Sequence, residues 1–456
     1  MSGSAENSLI GKRYDVVVAG GGVAGIAAAR SAARLGAATA LVERYGFLGG
    51  LATAGLVNPF MSHTSATGLP LVGGVFDELR DRLATMGGLL GSAFDSEILK
   101  FVAQEMVLDA GVELRLHAFV ADAKRNGEDI ERLILQTKSG RSEIGAAVFV
   151  DATGDGDAAA AAGAPFQKGR PEDGLPQAMT LMFDVGGVDL RTALEWVKER
   201  PDQFAFPKLN PDCPVDRLLD TVVSVAGYFD LVSQAKEKGE LSLPGDMVFY
   251  ISRPRQGEVT FNATHVGMVD GTKSEDLTRA EIEGRRQMMS VVRFLKERVP
   301  GFSSSYLLRS AVQVGVRETR RITGEYILTV DDIAAGRKFA DAIARLAYPV
   351  DIHAPTGEGY TRGQEPTRMI GPPKGDWYEI PYRCLLPLGL SNLLVAGRCV
   401  SATHEGQAAI RVMPCCIAMG QAAGTAAAMA ARAGISPKAL DIGALLAALR
   451  ENGALV

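Results

Sequence analysis

The chain has 456 residues, 47% of them apolar and 22% charged, and a net charge of -5, with 48 Lys and Arg against 53 Asp and Glu. That length excludes a single small binding module and predicts two domains, or one α/β domain carrying an insertion; the composition excludes disorder. The acidic balance provides no basic field for nucleic acid or anionic lipid.

After a polar lead over residues 1–12, expected to be a flexible terminus without a signal peptide, Tyr14 to Ala19 is a short β-branched run. It is followed by Gly20-Gly21-Gly22-Val23-Ala24-Gly25, a helical stretch from Ile26 to Leu35, and a second strand from Ala38 to Glu43. This is a complete βαβ unit. Gly20 allows the tight turn, Gly22 lets a pyrophosphate approach bare backbone, Gly25 permits close helix packing, and Glu43 ends the second strand where a ribose hydroxyl would be bound. The fingerprint specifies a dinucleotide without deciding between FAD and NAD.

Tyr45 to Gly74 is rich in Gly and Thr and without period, so a long functional loop is expected. Helices are predicted over Val75 to Met86 and Ser96 to Ala110, then a strand from Val112 to Leu116. A meander runs from Ala118 to Val150, with turns at Asn126-Gly127 and Ser139-Gly140. Past Pro165 prolines, aromatics and charges alternate to residue 385, with strands predicted at Ala178 to Val185, Met247 to Ile251 and Glu258 to Val266, and a helix from Leu277 to Val299. The opening style then returns: a strand from Asn392 to Ala396, a polar loop, and a small-residue helix to about Ala433. The expected division is therefore a discontinuous nucleotide domain over 13–165 and 385–456, with a substrate or cap domain over 166–384.

The five cysteines, Cys213, Cys384, Cys399, Cys415 and Cys416, are odd in number and lack C-x-x-C spacing, so no disulfide framework and no metal site are expected and a reducing, cytoplasmic setting fits. Ile417 to Gly434 is too weakly apolar for a membrane span.

Val148 to Asp157 and Asn392 to Gly424 are similar to the second and third FAD-contacting segments of glutathione-reductase-like flavoproteins. No second strand–G-x-G-x-x-G–helix unit occurs between 160 and 380, which argues against a built-in NAD(P)H domain. Gly49 to Gly55, Arg317 to Arg321, Tyr348 to His353, Ile380 to Arg383, Ala396 to Cys399 and Gly420 to Gly424 together resemble a bacterial FAD-dependent oxidoreductase family distantly related to fumarate reductase flavoproteins, over about residues 14 to 433.

The resemblance implies an α/β fold: a glutathione-reductase-like, FAD-binding Rossmann domain with an inserted mixed α+β substrate domain. It implies FAD contacts from Gly20, Gly22, Val23, Ala24, Gly25, Glu43, Arg44, Gly49, Gly50, Thr53, Val120, Thr153, Gly154, Asp155, Gly397, Arg398, Met413 and Ala418. Two departures stand out. Relatives often carry an acid after the glycine of the third motif to hold the ribityl chain; here that residue is Arg398, which makes Asp155 the candidate for that contact. Trp377-Tyr378-Glu379-Ile380-Pro381 resembles the W-x-W-x-I-P signature of flavin-dependent halogenases, but Glu379 replaces the second Trp, which disfavours halogenation.

A flavin needs a side chain that moves the proton accompanying hydride transfer. His404 and Arg411, ahead of the flavin-facing helix, are the first candidates, the imidazole as proton shuttle and the guanidinium as carboxylate clamp or flavin partner. The competing reading of His404 and Glu405 is that they only cap the loop. Tyr382, Arg383 and His353 are further catalytic candidates in the segment expected to close over the ring, with His353 favoured as a structural partner of Asp351. Arg317, Glu318, Arg320 and Arg321 read as an internally paired face from which Arg317 could reach the site. His63 in Ser62-His63-Thr64 resembles a covalent flavin histidine but lacks its context, so FAD is expected to be non-covalent. Cys415-Cys416 reads as buried helix start.

The expected function is hydride transfer between a small organic substrate and flavin N5, as a dehydrogenase, desaturase or reductase. The alternatives are an FAD-dependent monooxygenase and a non-catalytic electron-relay subunit. The expected partners are a small-molecule substrate and an unknown electron acceptor, with neither nucleic acid nor membrane; an oligomer is compatible with the sequence.

Overall fold

The computed structural model describes residues 13–207, 209, 213–358 and 369–456; the expectation of a flexible terminus over 1–12 lies outside them. The opening βαβ unit forms as its pattern dictates. β1 (Arg13–Ala19) and β2 (Thr39–Val42) pair in parallel, Val17 opposite Ala40, with α1 (Val23–Arg34) between them. The long loop contains one 3-10 turn, Gly50–Ala52. α2 (Val75–Thr85) and α3 (Ser96–Leu108) follow, the second capped by Asp95, whose carboxylate accepts from the Glu97 and Ile98 N–H groups. Then come β3 (Glu113–Arg115) and the meander β4 (Ala118–Asn126), β5 (Asp129–Thr137) and β6 (Gly140–Asp151).

β6 has two partners along its length. Its first half closes the meander against β5, and its second half enters the parallel sheet beside β1, Val16 opposite Val148. β7 (Leu393–Val395), returning from far along the chain, pairs in parallel with the end of β6, Leu394 opposite Val150. The parallel order is thus β3-β2-β1-β6-β7, and all five carboxyl ends lie on one edge. In open α/β sheets that edge is where ligands bind.

The polar loop expected after β7 contains a helix, α4 (His404–Ile410). Thr403 caps it by accepting the Gly406 N–H at 3.1 Å, a local hydroxyl-to-backbone bond that apolar periodicity does not reveal. α5 (Met413–Ala433) then lies on α1. A Cβ on Gly420 or Gly424 would overlap the backbone carbonyl of Ala24 or Ala28, so the two helices approach closely only because these four positions are Gly or Ala. No single helix among the described residues is long and apolar enough to cross a membrane.

A second, antiparallel sheet has the order 204–206, 224–227, 248–252, 259–261, 183–186, 306–310, and the helix Ser274–Arg298 buries Met288, Val291, Phe294 and Leu295 in the same core. The strand expected at Ala178 to Val185 is regular only over Phe183–Gly186. Upstream of it side chains take over the ladder: Thr180 Oγ1 donates to the Thr264 carbonyl and the Leu181 N–H donates to Thr264 Oγ1, both at 2.8 Å. The same exchange leaves only Val259–Phe261 of the strand expected at Glu258 to Val266.

The second core gathers residues from Met179 to Val316, with Leu56 from the Gly-rich loop. Ile322, Leu328, Ile343, Leu346, Tyr378, Ile380, Tyr382 and Cys384 pack into the first core instead. The change of core therefore falls near 317–321, well before the boundary expected at 384, because an alternation of prolines and charges does not reveal which core a strand joins.

Candidate active site

The carboxyl edge of the parallel sheet brings four of the sequence motifs together. Gly20 follows β1, Glu43 follows β2, Thr153-Gly154-Asp155 follows β6, and Gly397-Arg398 follows β7. Gly20 has φ +95° and sits against Ala152, where a Cβ would lie 2.5 Å from the carbonyl oxygen; a Cβ on Gly25 would overlap the Gly20 carbonyl. The turn and the helix start are thus closed to any side chain. Gly22 differs: its backbone is ordinary, and a Cβ would find nothing nearer than Gly50 Cα at 3.8 Å. The N-cap Gly22 offers no side-chain cap, and the first turn of α1 holds no acidic residue, so the helix start presents N–H groups toward open space. Bare backbone, helix dipole and open space together fit a pyrophosphate.

Glu43 is buried and grips the glycine turn, accepting the Gly21 N–H at 2.6 Å through Oε2 and the Tyr45 N–H at 2.9 Å through Oε1. Burial raises its pKa above the usual carboxylate range, partly offset by those two backbone bonds. The Gly49 N–H donates to the Gly21 carbonyl at 2.9 Å, which pins the Gly49-Gly50 turn over the fingerprint. Thr53 is buried behind that turn, its hydroxyl donating to Leu48 O, so it acts on the turn and does not face outward as a cofactor contact. Arg44 donates to Gln313 Oε1 at 2.6 Å, tying the end of β2 to the second core. Val23 opens α1 beside buried Ala24; Val120 is buried on β4; Met413 and half-buried Ala418 lie on the first turns of α5.

The two departures in the motifs meet in space. Arg398 Nη2 lies 2.7 Å from Asp155 Oδ1, and the same oxygen accepts the Thr319 hydroxyl at 2.8 Å. Gly154, at φ +80°, makes room: a Cβ there would stand 2.9 Å from Arg398 Nη2. Arg398 also donates to the Val316 carbonyl. Asp155 is therefore an internal partner of Arg398 first, and only its other oxygen is left for the ribityl role expected of it. Thr153 is used locally as well, donating to Asp151 Oδ1 at 2.7 Å and accepting the Asp157 N–H at 2.9 Å.

Beyond Val316 a second polar group lies where the second core meets α4. Arg317 donates to the Ala178 carbonyl at 2.6 Å and reaches Asn262 Oδ1 at 3.4 Å. Arg411, the C-cap of α4, donates to the Asp351 carbonyl at 2.9 Å, with its carboxylate 3.6 Å away. Asp351 also accepts the Tyr348 hydroxyl at 3.1 Å and stands 3.6 Å from His353 Nε2. The rings of His353 and His265 lie 5.7 Å apart and tilted by 30°. Gln177 joins these pieces, accepting the His353 N–H at 3.1 Å and contacting Gln407, which donates to Arg317 O.

Charge in this group is uneven. Burial, then Arg317, pushes His265 down to about 3 and His353 down to about 4, so both rings are neutral at pH 7. His353, Arg411 and Arg317 hold the Asp351 carboxyl well below its usual range despite burial, so it stays ionised. Arg317 is pushed down to about 9 by burial and by the charge of Arg411, and remains protonated.

His404 lies immediately behind this group and is buried. Its Nδ1 is 2.9 Å from Glu318 Oε2, and Glu318 is fully enclosed between His404, Arg321 and the Gln177 N–H. The geometry fits the loop-fixing alternative for His404. Tyr382 and Arg383 do not join the site: Tyr382 donates to the Pro437 carbonyl inside the first core, and Arg383 pairs with Asp341 at 2.9 Å beside Tyr326. That corrects the expectation that this segment closes over the ring, because the strand Tyr378–Pro381 and the 3-10 turn Tyr382–Leu385 after it pack into the first core. Glu379 of the W-x-W-x-I-P-like stretch is likewise internal, accepting from the Trp377 indole at 3.2 Å. His63 stands against Phe76, ring centroids 5.2 Å apart.

Sequence reading missed His265, Asn262, Gln177 and Gln407, and left Arg317 on a paired face. The Asn262 and His265 spacing carries no motif. A groove of about 740 Å³ lined by Arg13, Asn126, Asn392 and Ser436 lies at the amino end of the parallel strands, the wrong edge for these groups.

The chain belongs to the FAD dependent oxidoreductase family, whose model matches residues 15–450. It is accordingly a flavoenzyme that uses FAD, an oxidoreductase, and the uncapped α1 turn is a cradle of the right chemistry for that cofactor. No curated protein matches it in sequence. Among solved structures it is similar to a geranylgeranyl bacteriochlorophyll reductase-like protein from Thermoplasma acidophilum (11% identity, 97% of this chain and 84% of the other, TM-score 0.46). It is also similar to the myxobacterial chondrochloren halogenase CndH (12%, 97% and 79%, 0.47) and to the flavin-dependent monooxygenase PieE (14%, 69% and 52%, 0.37).

Proposed function

We propose that this FAD enzyme transfers hydride between a small organic substrate and flavin N5, acting as a dehydrogenase, desaturase or reductase. The observation that carries the reading is the position of the Arg317, Asp351, His353 and Arg411 group. It adjoins Val316, which Arg398 touches from the turn after β7, and it precedes the first turn of α5.

FAD, when bound, supplies the two-electron acceptor or donor. The chain would hold its pyrophosphate at Gly22 to Gly25, its adenosine ribose beside Glu43 and its flavin end near Arg398 and Met413. His353, neutral at pH 7 and turned through Nε2 toward Asp351, is the group suited to take or return the substrate proton at Nδ1. Arg411 would orient the substrate. FAD is held without a covalent bond, so acid precipitation of the protein leaves a colourless pellet; a flavin-fluorescent band on a denaturing gel would contradict this.

The test is anaerobic bleaching of the flavin by a metabolite panel. Bleaching by one metabolite with return of a stoichiometric oxidised or reduced product supports hydride transfer. Oxygen consumption with NADPH and a hydroxylated product supports the monooxygenase alternative instead. Reduction only by a partner protein supports the electron-relay alternative.

A further inference from the structure

Arg317 and Arg411 are two guanidinium residues of one partly buried polar group, joined through Gln407 of α4, whose side chain donates to the Arg317 carbonyl at 2.9 Å and whose own backbone carbonyl accepts the Arg411 N–H at 3.2 Å. After burial, the charge of Arg411 is the next cause that lowers the Arg317 pKa. The acceptors that Arg317 holds, the Ala178 carbonyl and the Asn262 amide, are both neutral, and no carboxylate among the described residues lies within 4 Å of it. Asp351 answers one of the two charges, and is itself shared with Tyr348 and His353. His265 and His353 add no charge at neutral pH. The sum over Arg317, Arg411, Asp351 and the two imidazoles is one uncompensated positive charge.

Uncompensated charge taken out of water is costly and persists where a ligand completes the pair. We propose that Arg317 and Arg411 bind a carboxylate of the substrate, with the rings of His265 and His353 alongside it, so that the enzyme acts on a small organic acid. A planar monoanion matches both the single spare charge and the bidentate donor geometry of a guanidinium. The pyrophosphate of FAD has its own cradle at α1 and does not need these arginines. This inference rests on the hydride-transfer reading for the meaning of "substrate", but the anion site can be tested apart from it.

The probes are acetate, succinate and benzoate, each set against its amide, titrated into the FAD-loaded enzyme and followed by calorimetry and by the flavin absorption bands. At least one acid is expected to bind saturably and to perturb the flavin spectrum, its amide to bind at least tenfold more weakly, and inorganic phosphate not to compete. Arg317→Lys and Arg411→Gln should each weaken the acid at least tenfold while FAD stays bound. Failure of every acid to bind, equal binding of acid and amide, or unchanged affinity in both variants overturns the proposal.

A different role for the spare charge, stabilising the reduced flavin anion, would appear as a lower flavin midpoint potential and weaker sulfite adduct formation in both variants with acid affinity intact. That result also overturns the proposal. If the acids bind in an Arg-dependent way and no metabolite reduces the flavin, the hydride-transfer reading fails and the anion site stands. If a neutral metabolite reduces the flavin and no acid binds, the reverse holds.

Discussion

Arg398 Nη2 stands 2.7 Å from Asp155 Oδ1, so the turn after β7 is locked to the turn after β6 by an ion pair whose side chains are each only 12% exposed. Removing one partner leaves the other charge largely enclosed and unpaired, which costs about 3–5 kcal/mol for a buried pair, whereas removing both is far cheaper. Arg398→Met and Asp155→Asn should each lower the unfolding free energy and weaken FAD retention, and the double variant should recover part of both. A double-mutant cycle by urea denaturation checks this; strict additivity would show the two residues to be uncoupled.

Gly22 and Gly420 should fail in different ways. Gly22→Val has a permitted backbone and a free Cβ position, so the variant should fold and lose FAD, seen as native circular dichroism with no flavin absorbance. Gly420→Ala drives a Cβ into the Ala24 carbonyl and should cost about 1–3 kcal/mol of stability through overpacking of α1 against α5. Full FAD in the first variant would remove the phosphate role of Gly22.

His404→Ala should reduce stability more than it slows turnover. The imidazole is buried against Glu318, and its loss leaves an enclosed carboxylate with Arg321 as its remaining charged partner. A melting temperature lowered by several degrees, with substrate-driven flavin reduction within about tenfold of wild type, is expected. A loss of about a hundredfold or more in flavin reduction at unchanged stability would instead return His404 to proton transfer.

The neutral histidines set a pH dependence. His265 and His353 titrate near 3 and 4 in the folded chain and near about 6.5 when unfolded, so between about 4 and 6.5 the unfolded state binds more protons. Their contribution is fully present above about pH 6.5 and is lost as pH falls through that window. Asp157, raised to about 6 by burial and then by Asp155, works in the opposite sense over part of it. His265→Gln should therefore flatten the stability profile from pH 4.5 to 6.5 by up to about 1.4 kcal/mol per pH unit relative to wild type. Parallel profiles for the two proteins would show that His265 is charged in the native state.

Cys415 and Cys416 are buried, with the Cys415 thiol pushed well above its usual range and the Cys416 thiol up to about 12 by burial. Neither should react with iodoacetamide at pH 8 in the native protein, and the double Ser variant should keep substrate-driven flavin reduction within about tenfold. Rapid alkylation of the folded enzyme would contradict both statements.

The nucleotide half of this protein is written in local sequence. Gly20, Gly22 and Gly25 act within one turn, and Glu43 is brought to that turn by a single βαβ unit, so spacing alone carries the information. The meander turns at Asn126-Gly127 and Ser139-Gly140 are local for the same reason.

The substrate side was not legible in this way. Tyr382 and Arg383 were expected at the ring, yet the 3-10 turn Tyr382–Leu385 buries the Tyr382 ring in the first core and leaves Arg383 at the surface on Asp341, while His265 enters the group from the other core, 88 residues before His353 in the chain. Arg317 looked like one charge in an alternating run, and only packing separates it from Glu318, which turns the other way to His404 and Arg321. Sequence by itself determined the FAD cradle, because its contacts are close in the chain and depend on residue size and backbone freedom. Tertiary structure alone decided which charges are left unpaired, because charge balance in a partly buried site depends on which distant segments meet there.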